Sequence, residues 1–432
     1  MQMIEKYLLN KKTQSWLIFA FSFFVALGSA IGVSAFGFTL SPFRVFFILF
    51  CVYEIVITLY QIIKTKKIKI PKSKYLLFMI IWFFYALITV VWAKSLTFWV
   101  KNTFFLFLGF ASVFIMVKHL KSKYDFKMAL LGFEIGVAIQ VLIGWIEVVT
   151  NTHPFVAGGG SQFGRVPIGT LYNPNDFATF MLMAIAVCLV LYLITENTKL
   201  KAAHSALAIN CLALLILTNS RANLMGVIAF MACAVLSMKP SKQKTFILII
   251  CGLVALAFIV LFVLQLNIKL GEGNSDSVRI SLIASGFILL LKSCFLGVGT
   301  GQVEYWLGNY NLGFYLYGYT NIHNWWVELL ATYGVIIFVL YLLFYFSMIK
   351  FFLKGRNEKN ETKANIAKII LCFLFGFIFA CISSSSMISA EWFWVFFAFI
   401  IAYVVNSNTS NDFIIAYIVN SNNSNDAMNN IS

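Results

Sequence analysis

Apolar residues along this chain come in long unbroken runs, separated by short polar segments that carry most of the charge. Twelve runs approach the length needed to cross a bilayer: roughly 16–36, 45–63, 75–93, 102–117, 129–149, 174–194, 204–218, 222–238, 245–266, 325–349, 366–386 and 392–405. A spanning helix takes about 20 such residues. Inside lipid every backbone polar group must be satisfied, so runs of this length predict helices and exclude barrel strands. The expectation is an all-α integral membrane protein with about 12 transmembrane helices. It forms one polytopic domain over 1–405, with one large outer loop (267–324), followed by a polar tail over 406–432. The tail repeats its own run-up: FIIAYVVNSNTSND (399–412) is followed by FIIAYIVNSNNSND (413–426). The second copy has seven consecutive apolar residues, too few to span. Met1–Ser15 is polar and the run from Trp16 is too long for a signal-peptide core, so the first helix is expected to serve as its own membrane signal.

Composition agrees, with 61% hydrophobic and only 11% charged residues in 432. The net charge of +16 suggests nucleic acid until its distribution is read. With the N-terminus in the cytoplasm, 24 of 32 basic residues fall in cytoplasmic segments. Eight fall outside: Arg44, Lys94, Lys101, Arg165, Arg221, Lys269, Arg279 and Lys292. Lys and Arg concentrate on the cytoplasmic side of membrane proteins. Both termini are therefore expected inside, and nucleic acid is dropped as a partner. The eight cysteines are scattered through apolar segments without C-x-x-C spacing, so they read as small buried hydrophobes. Glu54, Glu134 and Glu147 lie within spans and read as structural partners whose mates the sequence does not name.

The candidate chemistry sits on the outer side. Of only five arginines, four (44, 165, 221 and 279) fall there, where a guanidinium can grip phosphate oxygens two at a time. Arg44 also reads as a headgroup anchor. Fifteen residues in the run 204–218 would rise about 23 Å against a hydrocarbon core of about 30 Å. That places the turn Asn219-Ser220-Arg221 below the outer surface, where a cation marks a functional site. The loop 150–173 leads through Arg165 to Asn173-Pro174, an N-cap followed by Pro at the first helical position. Such a helix start offers free amide donors to an anion.

In the large outer loop, Arg279 to Lys292 reads as a short helix lying at the membrane interface. The Gly297-x-Gly299-x-Gly301 that follows has no βαβ context and reads as a tight turn or a close approach to a ligand. The loop ends in His323-Asn324 at the mouth of an apolar helix, among Trp306, Trp325, Trp326 and five tyrosines. An interfacial aromatic belt accounts for the aromatics. It does not account for the His-Asn pair. The outer acids Asp176, Glu272, Asp276, Glu304 and Glu391 form no compact cluster in sequence, so no metal and no cofactor are expected.

Four features stand in one order: Arg165 before GTLYNPNDFA, NSRANL, SVRISLI, and GVGTGQ followed by NIHNWWVELLATYGVI. This order resembles the O-antigen ligase and polymerase superfamily, membrane glycosyltransferases that act on undecaprenyl-diphosphate-linked glycans. The resemblance covers about 160–340 closely. It implies a GT-C-like architecture, with Arg221 and Arg279 holding the diphosphate, helped by Arg165. His323 would be the catalytic base for an acceptor hydroxyl, with Asn324, Glu328, Asn173 and Asn175 in support. The implied partners are an undecaprenyl-diphosphate-linked oligosaccharide, an acceptor glycan and the lipid bilayer, with flippase and chain-length regulator proteins as accessories. The implied location is the outer face of a bacterial cytoplasmic membrane. The function expected is joining glycan repeat units without metal and with inversion. Ligase-type transfer to another acceptor is the alternative within the superfamily, and a flippase for the same glycans is the alternative from another class.

Overall fold

The computed structural model of the protein describes residues 10–35, 38–65, 73–238 and 275–407. The expected span at 245–266, the first part of the large loop (267–274) and nearly all of the tail (408–432) lie outside the described residues. The described chain opens with α1 (Lys11–Ala26) and a small hairpin, β1 (Val33–Ala35) and β2 (Phe38–Leu40). Then come α2 (Pro42–Thr65), α3 (Lys74–Ile88, prolonged by a 3-10 turn to Trp92), α4 (Leu96–His119) and α5 (Lys123–Thr150). They are followed by α6 (Pro174–Ile194), α7 (Thr198–Leu217) and α8 (Arg221–Leu236). Beyond the gap lie α9 (Ser275–Lys292), α10 (Gln302–Asn309), α11 (Trp325–Gly355), α12 (Glu361–Ala380) and α13 (Glu391–Ser407). Among the described residues, eight helices are long and apolar enough to cross a membrane: α2 to α7, α11 and α12. The chain is an all-α integral membrane protein.

Three expected spans change. The run 16–36 does not form one helix: α1 stops at Ala26, and the chain turns into the antiparallel hairpin, with Val33 opposite Leu40. The segment GSAIG that follows carries two of the weakest helix formers. The run 204–218 is too short a reading, because α7 begins at Thr198, where Asn197 Oδ1 accepts from Lys199 N (2.9 Å) and Leu200 N (3.2 Å). Its 20 residues rise about 30 Å, a full hydrocarbon thickness, so helix length gives no reason to sink the Asn219–Arg221 turn. The run 366–386 loses its last six residues: α12 ends at Ala380, and the four serines beyond it leave the helix.

The intramembrane acids find partners. Glu54 accepts from Lys118 Nζ (2.5 Å) and contacts the His119 ring. Glu134 meets His204 Nδ1 at 2.7 Å, and Glu147 Oε2 accepts from Ile168 N and Gly169 N at 2.8 Å each. Arg44 is not a headgroup anchor. It is buried, its Nε lies 2.5 Å from Glu391, and its guanidinium sits over the Phe105 ring.

Two backbone features position the site. At the α8–α12 crossing, a Cβ on Gly226 would lie 2.8 Å from Gly376 O, and one on Gly376 would lie 2.7 Å from Gly226 O. Only hydrogen at both positions lets these helices touch backbone to backbone. That contact brings the start of α8 up against the chain leaving α12. In α11, Gly334 is non-helical (φ 71°, ψ −175°) and breaks the backbone ladder. The freed carbonyls of Ala331 and Thr332 accept instead from Val298 N and Gly299 N, both at 2.9 Å. The G-x-G-x-G segment thus approaches the α11 backbone.

Candidate functional site

Three helices, α6, α8 and α11, begin in the same way. The residue before each N-cap is a non-glycine residue in the left-handed region: Tyr172 (φ 60°), Asn219 (φ 56°) and His323 (φ 52°). Such residues are uncommon, and each turns the chain sharply into its helix. The caps are Asn173, Ser220 and Asn324. Asn173 Oδ1 accepts from Asn175 N (2.8 Å) and Asp176 N (3.4 Å), and Asn324 Oδ1 accepts from Val327 N (3.2 Å). The expected capping of α6, with Pro174 at its first position, is what the structure has.

Ser383–Ser386, between α12 and α13, ties the three starts together. Ser383 Oγ lies 3.3 Å from Ser220 Oγ and accepts from Asn223 Nδ2 at 3.4 Å. Ser384 Oγ is 2.7 Å from Thr179 Oγ1, and Ser385 donates both its N–H (2.8 Å) and its hydroxyl to the Asp176 carboxyl. Ser386 Oγ donates to Glu328 Oε1. Ser220 Oγ also donates to Asn175 Oδ1 at 2.8 Å, which joins α6 to α8 directly. Sequence reasoning passed over Asp176, Ser220 and Asn223 as site residues, and the serine run entirely. The available signal was four consecutive hydroxyls between two apolar helices.

His323 is half-buried, 6.1 Å from the Tyr319 ring between centroids, and bonded to the Ser383 backbone. That bond favours the protonated ring, so the imidazole N–H donates to the Ser383 carbonyl. Burial, with the Arg279 guanidinium beside it, overrides this and holds the imidazole down at about 4. At neutral pH the ring is therefore uncharged and able to take a proton. Arg279 is half-buried on α9, and Arg221 is the half-buried first residue of α8, next to Ser220 in the hub. A cation at a helix start opposes the helix dipole unless an anion joins it. Arg165 is different: it is exposed on the 150–173 loop, and no bond of the hub includes it. Asn173, Asn175, Asn324 and Glu328 all belong to the hub, Glu328 being buried against Ser386.

Behind the hub lies a cavity of about 10 Å³, lined in part by Asn102, Glu304, Asn321, Glu328 and Ser386. It is no larger than a single water needs, too small for a sugar. Burial raises the Glu304 carboxyl despite the Lys101 ammonium. Two larger cavities, of about 480 and 580 Å³, are mostly apolar clefts between α5, α6, α12 and α13 and between α2, α3 and α4, and hold none of the hub residues. The aromatics divide. Trp325 is buried, with Nε1 donating to Tyr341 OH (2.9 Å), whereas Tyr310, Tyr315, Tyr317 and Tyr319 are exposed before His323. Among the described residues, no group of three or more His, Cys, Asp or Glu is disposed to hold a metal ion.

This end of the bundle offers two half-buried guanidiniums, three helix starts and a neutral imidazole. Such a set can hold a di-anion and remove a proton beside it. Residues 206–342, which contain Arg221, Arg279, His323 and Glu328, match the O-antigen ligase family. Over 347 residues the chain is 27% identical to the teichuronic acid biosynthesis protein TuaE of Bacillus subtilis (strain 168), covering 76% of this chain and 71% of that protein. Both matches support the O-antigen ligase and polymerase superfamily, and with it a membrane function of the polysaccharide polymerase or ligase type.

Proposed function

We propose that this protein is a membrane glycosyltransferase that joins undecaprenyl-diphosphate-linked glycan repeat units on the outer face of the cytoplasmic membrane. The observation that carries the reading is the meeting of His323 and Arg279 with the starts of α6, α8 and α11, Arg221 among them. Arg221 and Arg279 hold the diphosphate, with α-helix N-termini adding amide donors. Arg165 assists from its exposed loop. His323 takes the proton of the acceptor hydroxyl as that oxygen attacks the anomeric carbon. The bond from that carbon to the diphosphate oxygen breaks, and its electron pair leaves with the diphosphate. The arginines stabilise the charge that develops there. Direct displacement inverts the anomeric centre. The donor already carries its leaving group, so neither nucleotide nor metal is needed. The exposed tyrosines before His323 offer faces for sugars. Flippase and chain-length regulator proteins are the natural accessories.

Likeness to a teichuronic acid biosynthesis protein supports a role in polysaccharide synthesis. The test supplies purified protein in liposomes with lipid-linked repeat units and excess chelator. A ladder of products supports the polymerase, and a single transfer to a second acceptor supports the ligase alternative. Translocation of the glycan with no new glycosidic bond would overturn both in favour of a transporter.

A further inference from the structure

Four consecutive serines interrupt two apolar helices, and each hydroxyl goes to a different place. Ser383 reaches the start of α8, Ser384 reaches Thr179 on α6, Ser385 reaches Asp176 at the α6 start, and Ser386 reaches Glu328 on α11. Ser383 and Ser384 are 2% and 0% exposed, so these bonds are made without water to compete. A loop that merely closed two helices would face outward and need no such set of partners. A buried polar network with every member paired fixes one arrangement of the elements it joins. Here the elements joined are those that carry Arg221 and His323.

We propose that Ser383–Ser386 is a positioning strap for glycosyl transfer, anchored by Asp176, which fixes the place of His323 relative to Arg221. The inference rests on the function proposed above. The chain leaving α12 also meets the α11 start directly, with Trp325 N donating to Cys381 O at 3.0 Å two residues beyond His323. Holding His323 in place is the role an orienting partner plays for a general base. Asp176 holds the strap by two donors of one residue, the Ser385 N–H and hydroxyl, so a single carboxyl sets its position. The groups that face His323 are Arg279 from α9 and Tyr319 from its own loop, whereas Asp176 and Glu328 face each other across the strap. Glu304 of α10 faces Glu328 from the far side. The strap adds no charge of its own. It acts through His323 and is not itself catalytic.

The test compares Asp176→Ala with the milder Ser385→Ala and Ser384→Ala in full-length protein, with rates referred to monodisperse protein. Misplacing a reacting group by about 1 Å costs about 10²-fold. Asp176→Ala should therefore lower kcat about 10²-fold, and Ser385→Ala less, while KM for lipid-linked donor changes less than about two-fold. In both, the acid limb of the rate, near pH 4 for the wild type, should move toward the ordinary imidazole value of about 6.5 as the ring is released to water. Ser384→Ala should fall in the same series. Loss of activity with the limb unmoved would overturn the positioning role and leave the strap as packing. The base reading is tested separately: if His323→Ala retains wild-type rate, that reading fails whatever the strap variants do.

Discussion

The histidines of this protein differ in what faces the ring. His119 and His204 sit against carboxylates, Glu54 and Glu134, inside the helical bundle. Each pair is closed: the acid holds the ring, and the ring or a neighbouring lysine satisfies the acid. His323 faces a guanidinium and bonds a backbone carbonyl, at the end of a loop rather than within a helix. A carbonyl bond alone is not the distinction, because His153 lies 3.0 Å from Val166 O yet is fully buried under its loop. What separates His323 is the combination of an ordered N–H, a neighbouring cation and partial exposure. The carboxylate-paired rings hold helices together, whereas His323 is half-buried and held uncharged at neutral pH.

The largest expected effect breaks the comparison outright. His323→Ala should lower glycosidic bond formation about 10²–10⁴-fold, the usual share of general base catalysis, with donor binding retained. His119→Ala and His204→Ala should leave the rate per folded molecule near wild type. A wild-type rate for His323→Ala, measured with donor and acceptor in liposomes, would return His323 to the structural class.

Next in size come the arginines. Lys cannot reproduce a two-pronged grip on phosphate, so Arg221→Lys and Arg279→Lys should each lose charge-assisted hydrogen bonds of about 1.5–3 kcal/mol. In rate that is about 10–150-fold. Arg165→Lys, on an exposed loop, should lose less. Equal rates for all three variants would mean that burial at the helix starts does not matter.

A smaller effect sharpens the other side. Glu134→Ala leaves the His204 Nδ1 without its carboxylate partner in an apolar setting. This should cost about 1–3 kcal/mol of stability, read as a lower thermal midpoint in detergent, with turnover per folded molecule unchanged. Reduced turnover at full folding would give this pair a function the comparison denies it.

The pH dependence is the finest test. A base at His323 would act in its neutral form, so kcat/KM should be flat above about pH 5 and fall as pH drops through about 4. The folded value lies below the ordinary one of about 6.5. Protonation is thus harder in the folded chain, and stability too is lost, not gained, as pH falls from about 6.5 toward 4. A bound diphosphate offsets the Arg279 charge, so the limb in kcat should lie higher than the limb in kcat/KM. Coincident limbs near 6.5 would mean that the ring is neither buried nor beside Arg279.

The sequence alone determined the class of this protein and the starts of α6 and α11. Runs of apolar residues dictate spanning helices because lipid offers no partner for a bare backbone. Asn173-Pro174 and His323-Asn324 mark helix starts because caps act within three or four residues, a range that local sequence can encode. The order of the Arg221, Arg279 and His323 segments was also readable along the chain. The mates of Glu54, Glu134 and Glu147 were not, because they lie 64, 70 and 21 residues away along the chain and only helix packing brings them into contact. The serine strap was equally hidden: Ser385 meets Asp176 across 209 residues, and four consecutive hydroxyls do not by themselves name their partners. Gly297 to Gly301 read as a tight turn or a close approach to a ligand, and only the break in α11 at Gly334 showed which backbone it approaches. Tertiary structure decided what His323 faces, since hydrogen bonds and charges act through space over a few ångströms and take no account of distance along the chain.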